Sequence, residues 1–246
     1  MNLKDAAVLF VEDEPFLRES MCKWLEQKAG KAFCAEHGAA ALKILATNKV
    51  DIVVSDLRMP VMDGVALVKK LHKIEPQPRI ILVTGFSDLS LREAYEMGVD
   101  AVLEKPIDRE QLLRAMEHSL AIPEELWAKP LTEQGMKLSL SFPSLAEAVK
   151  QKSIAFGRRG FCIKSGGAFR EGLVDFALEF RADRRVLSGQ GVVRWAAGHE
   201  GQAGIEITSL DDASRPWVLD LVKRRTVVAY IPGSTGTRNA AKLDAA

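Results

Sequence analysis

The stretch from Asp51 to Gly64, DIVVSDLRMPVMDG, constrains this chain more than any other. Ile52, Val53 and Val54 make a short β-branched run suited to a strand buried on both faces. Asp56 follows at its carboxyl end, where open parallel sheets place their reactive groups. Pro60 and Asp63-Gly64 then break the chain before a helical pattern of Val65, Leu67, Val68 and Leu71. Taken alone, Asp56 could equally serve as a turn residue or a helix cap. The other apolar runs change that balance. Residues 7–11 end in Glu12-Asp13-Glu14, residues 79–83 in Thr84-Gly85, and residues 101–103 in Glu104-Lys105-Pro106. In a parallel sheet these ends share one edge, so an acidic pair, an aspartate, a hydroxyl and an ammonium converge. That combination is a cation site beside a nucleophile.

The first half alternates strand and helix throughout. Phe16, Leu17, Met21, Trp24 and Leu25 recur at helical spacing after Glu14-Pro15, and the pattern stops near Gly30. Residues 33–35 read as a second strand, and residues 39–46 as a helix with Leu42 and Leu45 inward. Asp88 is a candidate N-cap for a helix carrying Leu91, Ala94 and Tyr95 and ending at Gly98. Asp108 opens a helix with Leu112, Leu113 and Met116. Five such units with short loops predict an α/β doubly wound, five-stranded parallel sheet of the flavodoxin-like kind.

On Glu12-Asp13, Asp56 within DLRMPVMDG, Thr84-Gly85 and Lys105-Pro106, residues 1–121 resemble a response-regulator receiver domain of two-component signalling. The resemblance implies transfer of a phosphoryl group to Asp56 from the phosphohistidine of a sensor histidine kinase or a phosphotransfer protein. It implies Mg2+ as cofactor, held by Glu12, Asp13, Asp56 and the Arg58 backbone carbonyl, all hard oxygens. It gives Thr84 the role of hydrogen-bond donor to the aspartyl phosphate, and Lys105 that of a point charge beside it after a cis Lys105-Pro106 bond. The pattern departs from the family at Val102, where receivers usually carry an aromatic partner for the threonine. Phe86 and Tyr95 are read as loop and helix-face residues and take no such role.

Two domains are the natural division of 246 residues. Formal charge separates the halves, at −3 for residues 1–121 and +4 for the remainder, which is far less basic than a dedicated nucleic-acid binder. The arginine-rich spots at Arg158-Arg159, Arg184-Arg185 and Lys223-Arg224-Arg225 read as solvated loops or helix ends. Cys22, Cys34 and Cys162 lie far apart in sequence and in no metal-ligand spacing, so free buried thiols in a reduced compartment are expected. His37, His72, His118 and His199 are scattered singles. No apolar run approaches a bilayer span, and a cytoplasmic protein without a membrane partner is expected.

Residues 122–135, with Pro123, Pro130 and Glu124-Glu125, read as a linker whose Trp127 packs on one domain. Beyond it the pattern becomes a strand's. Lys137 to Phe142 and Val174 to Phe180 alternate polar and apolar, and further strands fall at 161–163, 186–195 with Gly189 and Gly191 interrupting, and 204–208. Ser144 with Glu147 forms a capping box, and Pro216, Trp217, Leu219, Leu221 and Val222 mark a second helix. A small antiparallel β-barrel at 136–231 is predicted, followed by a disordered tail at 232–246. The runs GRRGFCIK, REG, GQGVVRW and AGIEI are similar to the PilZ family, which implies a six-stranded barrel and, usually, cyclic di-GMP as ligand. Two features of that ligand site are missing. Aligned on Gly160 the turn reads AFGRRG, without the Asp or Asn and the Ser, and no arginine stands between 121 and 154. Lysine cannot replace the bidentate contacts of two arginines, so the barrel is expected to bind a protein and not cyclic di-GMP.

The expected protein is thus a phosphorylation-controlled regulator and not an enzyme beyond autophosphorylation and dephosphorylation at Asp56. Homodimerisation through the first domain is compatible with it. Alternative readings are a cyclic di-GMP effector with a non-standard site at Arg158 and Arg159, and a DNA-binding transcriptional regulator. DNA is not expected as a partner, because the second half shows strands where paired recognition helices would be needed.

Overall fold

The computed structural model describes residues 1–85, 93–94, 97–121, 127–128, 134–157, 159–197 and 201–223. They divide into two units, with the boundary after Ala121. In the first unit, β1 (Ala7–Val11), α1 (Pro15–Lys28), β2 (Lys31–Ala35), α2 (Gly38–Thr47), β3 (Ile52–Asp56), α3 (Gly64–Leu71), β4 (Arg79–Thr84), β5 (Ala101–Glu104) and α4 (Arg109–Leu120) follow in order. The strands pair in parallel in the order β2-β1-β3-β4-β5. This is the flavodoxin-like doubly wound sheet expected from the alternation.

Successive residues of a strand point to opposite faces and both faces of this sheet are covered, which explains why Ala7–Val11, Ile52–Val54 and Ile80–Val83 are apolar without interruption. Val8, Phe10, Ile52, Val54, Ile81 and Val83 pack one face against α1 and α4 through Met21, Leu25, Leu112 and Met116. Leu9, Val11, Val53, Ile80 and Leu82 pack the other against α2 and α3 through Ala41, Leu67 and Leu71. Asp63 caps α3 by accepting from the Ala66 amide at 2.7 Å, and Asp108 caps α4 through the amides of Glu110 and Gln111. Of the helix expected after Asp88, Ala94 is helical and buried, while Asp88, Leu91 and Tyr95 lie outside the described residues.

The cysteine expectation needs correction. Cys22 on α1 and Cys34 on β2 are bonded as a disulfide, with Cα atoms 6.4 Å apart, and Cys162 is in no disulfide. The pair stands 12 positions apart in sequence. The helix α1 folds back onto the strand that follows it, so spacing along the chain gave no sign of their proximity.

The second unit contains β6 (Met136–Phe142), α5 (Leu145–Lys150), β7 (Ile154–Phe156), β8 (Gly160–Lys164), β9 (Gly172–Phe180), β10 (Arg185–Ala197), β11 (Gln202–Leu210) and α6 (Ser214–Lys223). Its strands run in the order β6-β9-β10-β11-β8-β7. A clean antiparallel barrel is not what forms. β6 pairs with β9 in parallel, from Met136 opposite Val174 to Phe142 opposite Phe180, and the sheet is a mixed, partly curled half-barrel. Alternation told which side of each strand is apolar, but direction depends on how the intervening chain returns, and β7 and β8 lie between these two strands. β10 runs unbroken through its glycines, with register shifts between Gln190 and Gly191 and between Val193 and Trp195. Glycine is required there because a Cβ at Gly189 would collide with the Ser209 carbonyl oxygen, and one at Gly191 with that of Glu206.

Trp127 is fully buried in this unit's core, donating from Nε1 to the Ile207 carbonyl at 3.0 Å. The rest of the predicted linker, apart from Ala128, Gln134 and Gly135, lies outside the described residues, as does the predicted tail. Ser144 accepts from the Glu147 amide at 3.1 Å as the capping pattern predicts.

Away from the apolar core, Glu206 is buried between two guanidinium groups. Its Oε2 lies 2.7 Å from Arg194 Nη2, and its Oε1 lies 3.7 Å from Nη1 of Arg159, itself buried. Removing the shared anion leaves two cations close together in a dry setting. Glu206→Gln should therefore destabilise the second unit by about 3–5 kcal/mol. Urea unfolding followed by tryptophan fluorescence checks this, since Trp127, Trp195 and Trp217 all belong to that unit.

Candidate functional site

The carboxyl ends of β1, β3, β4 and β5 meet at one edge of the parallel sheet. Glu12 follows β1 and is buried, while Asp13 is exposed. The loop that carries them is held from two sides. The Glu12 amide donates to the Ala35 carbonyl of β2 at 3.1 Å, and Arg18 of α1 donates through Nη1 to the carbonyls of Glu12 at 2.7 Å and Asp13 at 3.0 Å. Arg18 was not singled out in the sequence. The available signal was a basic residue within the first two turns of the helix that follows an acidic pair.

Asp56 ends β3 and is 6% exposed. Its Oδ1 accepts from the Arg58 amide at 3.3 Å, and the Leu57 amide donates to the Val83 carbonyl at 2.8 Å, so the chain is fixed on both sides of the carboxylate. Gly64 lies under this turn, donating to the Leu57 carbonyl at 2.9 Å. A Cβ at Gly64 would stand 2.5 Å from the Asp56 carbonyl oxygen, which is the physical need for glycine at the end of the DLRMPVMDG run.

From β5, Lys105 reaches back across the edge. Its Nζ is 2.6 Å from Asp56 Oδ2 and 3.1 Å from Glu12 Oε2. The Lys105-Pro106 bond is cis, as the resemblance implied. Thr84 is buried at the end of β4, with its hydroxyl donating to the Gly85 carbonyl at 3.1 Å. Val102 belongs to the apolar cluster with Leu82, Ala94 and Val99. The structure thus brings together Glu12, Asp13, Asp56 and Lys105, with the Arg58 backbone beside them and Thr84 one strand away.

Burial raises the Glu12 carboxyl above its ordinary value; Lys105 counteracts this in part, and the Asp56 charge adds to it. Burial works against the Lys105 ammonium, yet hydrogen bonds and charge from Asp56 and Glu12 outweigh it and raise that group. The signs differ for stability. A raised carboxyl favours its neutral form, so Glu12 costs stability at neutral pH and the cost is relieved as pH falls through its folded value. The Lys105 contribution is present below the ordinary lysine value and is lost as pH rises through the higher folded one.

Carboxylate oxygens of Glu12, Asp13 and Asp56 all lie within 4.8 Å of one another. Three hard anionic donors against one ammonium leave net negative charge, and the exposure of Asp13 leaves room for water on the ion. That donor set fits a small hard divalent cation.

A family model described as the response regulator receiver domain matches residues 8–117. Among curated relatives, the transcriptional regulatory protein GlrR of Escherichia coli is 31% identical over 160 residues, covering 63% of this chain and 36% of that protein. The positive alginate biosynthesis regulatory protein of Pseudomonas aeruginosa is 34% identical over 112 residues, covering 44% and 45%. Sporulation initiation phosphotransferase F of Bacillus subtilis is 27% identical over 116 residues, covering 47% of this chain and 94% of that protein. The chain thus spans less than half the length of the first two of these relatives. Glu12, Asp13 and Asp56 match the Mg2+ site of receivers, and a Mg2+-dependent aspartate phosphoacceptor site is present. A receiver takes up a phosphoryl group from a histidine kinase or phosphotransfer partner and is not itself an enzyme of substrate turnover. The first unit of this chain is a response-regulator receiver domain, and the second is a distinct β-rich half-barrel.

Proposed function

We propose that the chain is a two-component response regulator that accepts phosphate on Asp56 and relays its state to the half-barrel. The observation that carries this reading is the meeting of Asp56, Glu12 and Lys105 within hydrogen-bonding distance at one sheet edge. An Asp56 oxygen attacks the phosphorus of the donor phosphohistidine. The new O–P bond forms as the N–P bond breaks, and the electron pair stays on the imidazole. Glu12, Asp13, Asp56 and the Arg58 carbonyl would hold Mg2+, which when bound would neutralise charge on the phosphoryl oxygens. Lys105 then passes from Asp56 Oδ2 to a phosphoryl oxygen, and the Thr84 hydroxyl turns from Gly85 to another. Catalysis of this kind is positioning and electrostatics.

Two outputs compete for the second unit. Transcriptional control is favoured by the name of the relative GlrR, a transcriptional regulatory protein. Sheets as well as helices can read DNA, and the remainder of the chain carries a formal charge of +4. A PilZ-like barrel that binds protein is the other reading. It rests on the sequence runs named above and on six strands followed by a helix. A mobility shift with genomic DNA fragments, set against a pull-down with the phosphorylated full chain, separates them. DNA binding that weakens steeply with salt supports the first, and salt-insensitive capture of one protein supports the second. In either case cyclic di-GMP should bind more weakly than about 1 µM, measured by calorimetry.

Acetyl phosphate or beryllofluoride with Mg2+ should modify wild type but not Asp56→Asn, as read by mass or tryptophan fluorescence. Equal labelling of both removes Asp56 from the role. Protons compete with the cation at Glu12, so Mg2+ affinity, titrated over a pH series, should begin to fall with falling pH above the point where an ordinary glutamate would titrate. Coupling should run through Thr84, because Val102 is too short and too stiff to swing as an aromatic would. Hydrogen exchange with beryllofluoride should change protection at residues 84–97 in wild type and in Val102→Ala, and lose that change in Thr84→Ala. The reverse pattern would make the valine the working switch.

A further inference from the structure

We propose that Cys22 and Cys34 form a reversible redox bridge that controls the cation affinity of the acidic loop, an inference that rests on reading Asp56 and its neighbours as the phosphoacceptor site. The pair joins α1 to β2, the edge strand of the first sheet. Both residues are half-buried, so small reagents can reach them. Each stands beside one of the two supports of the Glu12-Asp13 loop. Cys22 lies one helical turn beyond Arg18, whose guanidinium holds both loop carbonyls. Cys34 immediately precedes Ala35, whose carbonyl accepts from the Glu12 amide. The bridge therefore ties together the helix and the strand that fix the metal-binding carboxylates. An edge strand has a neighbour on one side only, so it gains most from such a tie.

The chemistry balances with a low-molecular-weight disulfide as oxidant. One cysteine thiolate attacks it, releasing one small thiol, and the second cysteine displaces the other, so two protein thiols are oxidised and one disulfide is reduced to two thiols. In the bridged state the carboxylates are preorganised, and less ordering accompanies ion binding. In the dithiol state α1 and β2 move apart more freely and Mg2+ binds more weakly. Trp24, two residues beyond Cys22 and stacked under Arg109, reports on α1 directly.

The experiment uses the full chain, oxidised with a small disulfide or reduced with a dithiol, with the bridge verified by intact mass and thiol alkylation. Mg2+ alone is titrated by tryptophan fluorescence, and acetyl phosphate uptake is followed by mass. The oxidised protein should lose two hydrogens, melt several degrees higher, and reach half-saturation at a Mg2+ concentration at least about 3-fold lower than the reduced protein. Cys22→Ser and Cys34→Ser should each behave as reduced wild type under both conditions, whereas Cys162→Ser should keep the redox response. A verified bridge with equal Mg2+ titrations in both states overturns the proposal and leaves the phosphoacceptor reading intact. Failure of the oxidant to form the bridge also overturns it. No Mg2+ response and no phosphate uptake in either state removes the phosphoacceptor reading itself, and with it the coupling.

Discussion

The first unit depends on a charge conflict held at the edge of its sheet. Glu12, Asp13 and Asp56 bring three carboxylates within 4.8 Å, and Lys105 opposes them across two strand ends. Left in water these groups would separate. The parallel sheet forbids that, because each side chain is anchored at the end of a strand whose apolar body is buried on both faces. Core packing is thus the source of the force that keeps like charges together, and the excess negative charge gives the site its appetite for a divalent cation and a phosphoryl group. Burial of Glu12 at this edge, with the Asp56 charge adding to it, raises its carboxyl.

Backbone contacts convert this edge from a loose cluster into a fixed one. Gly64 lets the turn after β3 close onto the Asp56 carbonyl, Leu57 is pinned to Val83, and Arg18 with Ala35 clasps the acidic loop. Thr84 is poised differently, with its hydroxyl satisfied locally by Gly85 and therefore free to exchange that weak partner for an anionic one. Rigid carboxylates beside an exchangeable hydroxyl are the arrangement a phosphorylation switch requires, since only a group with two comparable partners can report a change.

The half-barrel solves a different problem. Its core is built from alternating strand faces, closed by Trp127 from the segment that precedes β6 and by Trp217, which meets Phe180 edge to face. Away from that core, Glu206 screens Arg159 from Arg194. Buried ions of this sort stabilise weakly but penalise every arrangement that leaves one of them unpaired. Gly189 and Gly191 permit the close approach of β10 and β11 that places Glu206 there.

Much of the first unit was legible in the sequence. Uninterrupted β-branched runs declared strands buried on both faces, Asp63 and Asp108 declared helix starts, and the polar residue after each run declared a functional edge. Those signals are local, because they depend on residues within a few positions of one another. The cysteine bridge was illegible, since proximity of Cys22 and Cys34 depends on how α1 folds over β2. So was Arg18, whose partners are backbone carbonyls that carry no side-chain signature. In the second unit the alternation of β6 and β9 was plain, but their parallel pairing was not, because strand direction is set by the path of the chain through β7 and β8. The sequence by itself determined which atoms could do the chemistry and which faces had to be buried. Tertiary structure alone decided which strands pair, which sulfurs and ions meet, and how closely, because those outcomes rest on long-range packing that no short window of residues contains.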